Sequence, residues 1–157
     1  MSRRKSVKKR IILQDPIYNS KLANMIINKI LIKGKKNLAQ HIFYEAMKKI
    51  QEITNKDPLE ILQKAINNIT PIVELKSRRI GGATYQIPME IKYERGISLA
   101  ISFLIKSARR RPGRKMISKL SLEIIDSSNN IGNSVKKKDE LHKSAEANKA
   151  FASLIKK

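Results

Sequence analysis

The apolar residues of this chain recur every three or four positions along most of its length and change to every second position only once. The two periods mark helices and half-buried strands respectively. Leu22, Met25, Ile26 and Ile30, joined by Ile27 and Leu31, form a first helical stripe. Leu38, Ile42, Ala46, Ile50 and Ile53 form a second, over about Asn37 to Thr54. The single strand-like passage follows. Val73 and Leu75 alternate with Glu74 and Lys76, and Tyr85, Ile87, Met89, Ile91 and Tyr93 alternate with Gln86, Pro88, Glu90 and Lys92. Gly81-Gly82 between the two runs predicts a β-hairpin over 73–91. Pro88 confines its strand to an edge. An isolated hairpin is marginally stable, so this one must pack on the helices or order on a partner.

Local signals divide the remainder. Asp15-Pro16 predicts a turn, and Asn19 or Ser20 a cap for the first helix. Lys33-Gly34 supplies its stop, with the glycine suited to a left-handed cap. In Asp57-Pro58-Leu59-Glu60 an N-cap, a first-turn proline and a capping-box glutamate follow one another, starting a third helix that ends near Ile69, before Pro71. Ile97, Leu99, Ala100, Ile101, Phe103, Leu104 and Ile105 face nearly all round a fourth helix, from about Arg95 to Ser107, which is therefore expected at the centre of the core. A fifth helix is expected from about Met116 to Ile125. A last one begins near Val135 and carries Leu141, Ala145, Phe151 and Leu154. The expectation is a mainly α, single domain of about six helices with a protruding β-hairpin arm and a basic N-terminal tail. Residues 1–14 form the flexible basic arm and residues 15–157 the helical domain.

Charge then decides the class of partner. The 157 residues hold 34 Lys and Arg against 13 Asp and Glu, a formal net charge of +21. A compact chain so charged repels itself unless a polyanion neutralises it. The charge is also uneven. Residues 1–44 carry eleven basic side chains and one acid, Asp15, whereas residues 95–122 carry eight and no acid. A solvated helix face would intersperse acids among its bases. Acid-free blocks of this kind point to nucleic acid.

The candidate contacts fall in five places. The tail holds Arg3, Arg4, Lys5, Lys8, Lys9 and Arg10. The first helix–helix turn holds Lys33, Lys35 and Lys36, beside backbone N–H groups suited to a phosphate. Gly34-Lys35-Lys36 is no phosphate loop, because such a loop needs a glycine where Lys29 stands and Ser or Thr where Lys36 stands. The hairpin is basic near its tip, with Lys76, Arg78 and Arg79. The tip itself, Ile80, Gly81, Gly82, Ala83 and Thr84, is small enough for close backbone approach. Arg109, Arg110, Arg111, Arg114 and Lys115, with Arg95 at the other end of the same helix, offer more cations than the helix dipole calls for. All three of Arg109 to Arg111 are expected to be exposed. On the last helix, Lys136, Lys137, Lys138, His142 and Lys143 complete the set.

Other classes find no support. The chain has no Cys and no Trp, and only two histidines, His41 and His142, far apart in sequence. No disulfide framework, thiol nucleophile or metal-ligand spacing is present, and no carboxylate pair or Ser/His/Asp arrangement. No cofactor, small-molecule substrate or membrane is expected; the uncharged apolar stretch Gly96 to Ile105 is far short of the roughly 20 residues that cross a bilayer.

At this point motifs become recognisable. Ser20-x-Leu22, Ile26-Ile27, Gly34-Lys35-Lys36, Ile42-Phe43 and Ala46 resemble the signature of the small-subunit ribosomal protein seven family. So do the run Arg78 to Pro88, the loop from Ala108-Arg109 to Pro112-Gly113, and Lys136-Lys137-Lys138 through His142 to Ala145 and Ala152. Ser144 stands where the family has Met, and the ending after Ala152 differs from the usual aromatic, Arg-containing one. The resemblance implies a structural, non-enzymatic role on rRNA. It implies primary binding to the 3′ major domain of small-subunit rRNA, nucleation of the subunit head among other head proteins, and a hairpin tip near the exit-site tRNA and the mRNA path. A translational repressor is the alternative, since the family includes members that repress their own messenger. The start, Met1-Ser2-Arg3-Arg4 with Asp15-Pro16-Ile17-Tyr18, resembles plastid members, and Ile, Lys and Asn are heavily used. The expected location is a plastid ribosome, without a cleaved transit peptide, with a bacterial cytoplasm as second choice.

Overall fold

The computed structural model describes residues 12–151. Six helices and one hairpin follow in the order α1 (Lys21–Ile30), α2 (Lys36–Thr54), α3 (Pro58–Ile69), β1 (Val73–Ile80), β2 (Ala83–Glu90), α4 (Tyr93–Arg110), α5 (Met116–Ser128) and α6 (Asn133–Ala147). The architecture is the expected mainly α fold with one antiparallel arm. The basic tail residues Arg3, Arg4, Lys5, Lys8, Lys9 and Arg10 lie outside the described residues, as does Leu154.

Helix starts follow the local chemistry. Ser20 caps α1, its hydroxyl accepting from the Ala23 N–H, and Asp57 caps α3 through the Leu59 N–H at 3.0 Å, with Pro58 in the first turn. The stop after α1 differs from expectation. The helix ends at Ile30, and Lys33 and Gly34, at φ +53° and +74°, instead form a separate turn closed by Lys35 N–H to Ile32 O. Two successive positive φ values are the signature of a type I′ turn, not of a helix cap.

The α2 stripe is rotated from its expected position. Ala39, Phe43, Ala46, Met47 and Ile50 are buried, while Leu38 and Ile53 are exposed. Both sets keep helical spacing, and packing on the aromatic Phe43 selected the former. The centre of the core is shared rather than owned by α4. That helix packs on α1, α3, α5 and α6, whereas α5 packs on α2, α3, α4 and α6. Ile101, Leu104 and Ile105 of α4 meet Leu120 and Ile124 of α5 within one cluster.

The hairpin register runs from Val73 opposite Glu90 to Ile80 opposite Ala83. Gly81 and Gly82 close it at φ +56° and +88°, where a two-residue turn twists with its strands and any other residue would be strained. Tyr93, expected to continue the strand alternation, instead opens α4 and is 72% exposed. The stem is fixed at Ile87, which is fully buried. Beyond the Lys76–Ile87 pair every residue except Tyr85 is exposed, so the outer arm stands clear of the helices.

The last helix stops at Ala147, short of Phe151. Phe151 lies in a short 3₁₀ turn, where its ring meets Tyr85 of β2 at 5.2 Å between centroids. Lys138 Nζ donates to Asn68 O (2.8 Å), and the Ile72 N–H donates to His142 Nε2 (3.2 Å). Together these contacts tie α6 to the end of α3 and to both strands of the arm.

Candidate nucleic-acid interface

Each basic block is held by one ionised group, and the two anchors have opposite sign. In the first block the anchor is the lone acid. Asp15 is 2% exposed; its carboxylate accepts the Ile17 and Tyr18 N–H groups and the Tyr44 hydroxyl (2.8 Å). Tyr18, Phe43 and Tyr44 pack their rings together around it. Burial and the hydrogen bond to Asp15 push the Tyr44 hydroxyl up to about 12, and burial beside Asp15 raises Tyr18 as well. The described lysines of this block, Lys21, Lys29, Lys33, Lys35 and Lys36, are all exposed.

In the second block the anchor is a cation. Arg111, at the end of α4, donates Nε to Glu123 and Nη2 to Asp126, and only 18% of its side chain is exposed. Glu123 is fully buried and also accepts the Ser134 N–H and hydroxyl, at 3.0 and 2.6 Å. The Ser127 and Ser134 hydroxyls lie 2.6 Å apart. Burial alone would lower the Arg111 pKa, but its bonds to Asp126 and Glu123 outweigh burial and raise it. Gly132 packs against this cluster so closely that a Cβ would lie 3.3 Å from both Asp126 Cβ and Glu123 Oε1. The exposure expected of all three arginines therefore holds for Arg109 and Arg110 and fails for Arg111. Glu123 and Asp126 are three residues apart on one helix face, a spacing that suits a shared cation. That spacing was the available signal, and the acid-free count of residues 95–122 ended one position before it.

The remaining candidates sort by what they touch. Arg109 and Arg110 are exposed, and Arg109 Nη2 donates to Ile30 O (3.2 Å). This bond brings the second block to the end of α1, next to the Lys33–Lys36 turn of the first. Arg114 and Lys115 are exposed and, with Lys119, line an open basic groove of about 450 Å³ at the start of α5. Arg78 and Arg79 are exposed and, being adjacent on β1, project from opposite faces of the ribbon. Ile80, Gly81, Gly82, Ala83 and Thr84 are exposed at the tip. Lys76 and Arg95 both pair with Glu74, at 3.5 and 2.8 Å. Glu74, expected on the outward face of the strand, is 8% exposed because those two cations cover it. On α6, Lys136 and Lys143 are exposed and Lys137 is half-buried, whereas Lys138 and His142 are occupied in holding the helix. His41 is exposed on α2.

Nothing in this arrangement performs chemistry. Among the described residues no group of three or more His, Asp or Glu side chains is disposed to hold a metal. No described helix is long and apolar enough to cross a membrane. What the arrangement offers is cation-bearing loops on rigid helices, suited to phosphate oxygens and to shape.

Comparison with known proteins agrees. Residues 2–149 match the family described as ribosomal protein S7p/S5e. The chain is 63% identical to the small ribosomal subunit protein uS7c of Euglena gracilis, over 98% of this chain and 99% of that one. It is 55% identical to uS7c of Ostreococcus tauri and 53% identical to uS7 of Acaryochloris marina, each over 97% of both chains.

Proposed function

We propose a scaffolding role on rRNA for this chain, which belongs to the ribosomal protein S7p/S5e family. It is a structural constituent of the small ribosomal subunit and not an enzyme. The relatives named uS7c support a plastid ribosome as its location, with a bacterial cytoplasm as the second choice.

The finer reading is that the chain binds the 3′ major domain of small-subunit rRNA and nucleates assembly of the head, in contact with other head proteins. One observation carries it. Two basic blocks far apart in sequence meet where Arg109 bonds to Ile30 O, so Arg109, Arg110, Lys33, Lys35 and Lys36 offer one cationic surface to a folded RNA junction. Arg114, Lys115, Arg78, Arg79, Lys136 and Lys143 extend it. The bare tip, Ile80 to Thr84, reaches toward the exit-site tRNA and the mRNA path. In this reading Arg111, Lys138 and His142 support the surface by holding loops and α6 in place.

Chemical footprinting of the purified chain on full-length small-subunit rRNA tests this. Protection confined to the 3′ major domain is the expected result. Preferential binding to duplex DNA or to the chain's own messenger, without protection of that domain, would favour a repressor instead.

A further inference from the structure

Where the basic surface turns the corner between α1 and α2 it is not wholly polar. Ile30, Ile32, Leu38, Ala39 and Ile42 line an open groove of about 240 Å³, flanked by Lys33 and Lys35. Ile32 and Leu38 are 57% and 53% exposed. Two large aliphatic side chains held side by side in water need a reason, and an apolar patch on a soluble surface commonly marks an interface.

The surroundings of the groove select its occupant. Lys33, Lys35 and Lys36 stand at its edge, and Arg109 is bonded to the carbonyl of Ile30 in its wall. No acid lines it. No side chain caps the N-terminus of α2, and that helix has no acidic residue in its first turn. Leu38 and Ala39 therefore belong to a turn whose backbone N–H groups favour an anion. The occupant must present a flat apolar face within one residue's reach of a negative charge. The groove is smaller than the roughly 300–1,000 Å³ of a drug-sized pocket. A docked amphipathic helix would need anchors over two turns. An unstacked nucleotide meets both demands, and RNA is read largely through such splayed bases.

We infer that this groove seats one unpaired nucleobase of the bound RNA on Ile32 and Leu38, with the adjoining phosphate between Lys33, Lys35 and the first turn of α2. The inference rests on the rRNA-binding reading and adds a base-stacking subsite to a surface otherwise read as phosphate contact. The walls carry aliphatic side chains in place of hydrogen-bonding ones, so the site accepts any base and selects for its being unstacked.

The test compares Ile32→Ser/Leu38→Ser with Lys33→Ala/Lys35→Ala, both in the full chain, using a transcript of the small-subunit rRNA 3′ major domain. All four side chains are exposed, so both variants keep the wild-type circular dichroism and melting temperature. The serine pair is expected to weaken binding about tenfold, the scale of one stacked base, without changing the salt slope. It also loses protection at a single nucleotide. The lysine pair lowers the slope magnitude by about 1.4–1.8 instead. Unchanged affinity of the serine pair overturns the subsite while the lysine result leaves the rRNA reading standing. Normal RNA affinity with lost incorporation into subunits assigns the groove to a protein neighbour and equally overturns it. If the wild-type chain itself does not bind the transcript, the rRNA reading fails first.

Discussion

The two basic blocks carry similar charge and are built on opposite plans. In the first, the one acid, Asp15, is buried as the anchor and every described lysine is exposed. In the second there is no acid, and one of its own cations, Arg111, turns inward to acids supplied by α5. A cation count treats these blocks as equivalent. The structure makes one a set of cations around a buried acid and the other a loop held by one of its own arginines. The difference teaches that net charge locates a binding surface without saying which of its charges are free to bind.

Substitutions separate the two plans most clearly at their anchors. Arg111→Ala leaves Glu123 buried and uncompensated, and breaking such a pair costs about 3 kcal/mol. Thermal denaturation should show a drop of several degrees. A variant as stable as wild type would mean that Arg111 is as free as Arg110, and the contrast would collapse. On the other side, Tyr44→Phe removes one hydrogen bond from the Asp15 carboxylate, at a cost of about 1.5 kcal/mol. It also changes the alkaline behaviour. Because the folded pKa of Tyr44 is raised from 10 to about 12, its contribution is complete below pH 10 and is lost as pH rises through 12. Urea titrations from pH 8 to pH 11 should show wild type losing more stability than Tyr44→Phe.

Smaller effects sharpen the contrast between anchors and free charges. Phe151→Ala removes the ring contact with Tyr85, worth about 1 kcal/mol. Hydrogen exchange should quicken in β1 and β2 while the α2 and α5 amides stay protected. Equal loosening of the core would show that the arm is not held separately by α6. Smallest of all, Lys33→Ala/Lys35→Ala/Lys36→Ala should change stability by less than about 0.5 kcal/mol, as exposed substitutions do. The same variant should lower the magnitude of the salt slope for RNA binding by about 2–3. Marked destabilisation would make these lysines part of the fold.

Most of the architecture was legible because its signals are local. The Asp57-Pro58 start of α3, the Gly81-Gly82 turn and the change of apolar period each depend on a few adjacent residues. The errors arose where two local patterns were equally good. Leu38, Ile42 and Ile53 and their neighbours Ala39, Phe43 and Met47 both have helical spacing, and only packing against α1 and α5 decides between them. Tyr93 continues a strand alternation until Lys92 starts a helix instead. In the candidate interface the residue types were legible and their partners were not. Nothing near Arg111 in sequence names Glu123, twelve residues on, and nothing near His142 names the Ile72 amide, which is seventy residues away. The convergence of Arg109 on Ile30 is likewise a product of helix packing, invisible to spacing.

The central claim is that exposed cations of both blocks meet one RNA surface, and the salt dependence of binding to small-subunit rRNA tests it most directly. With about eight phosphates neutralised, the logarithm of the binding constant should fall against the logarithm of salt concentration with a slope of roughly −6 to −7. A slope near zero would contradict the account, because binding would then owe nothing to the charge that both blocks present.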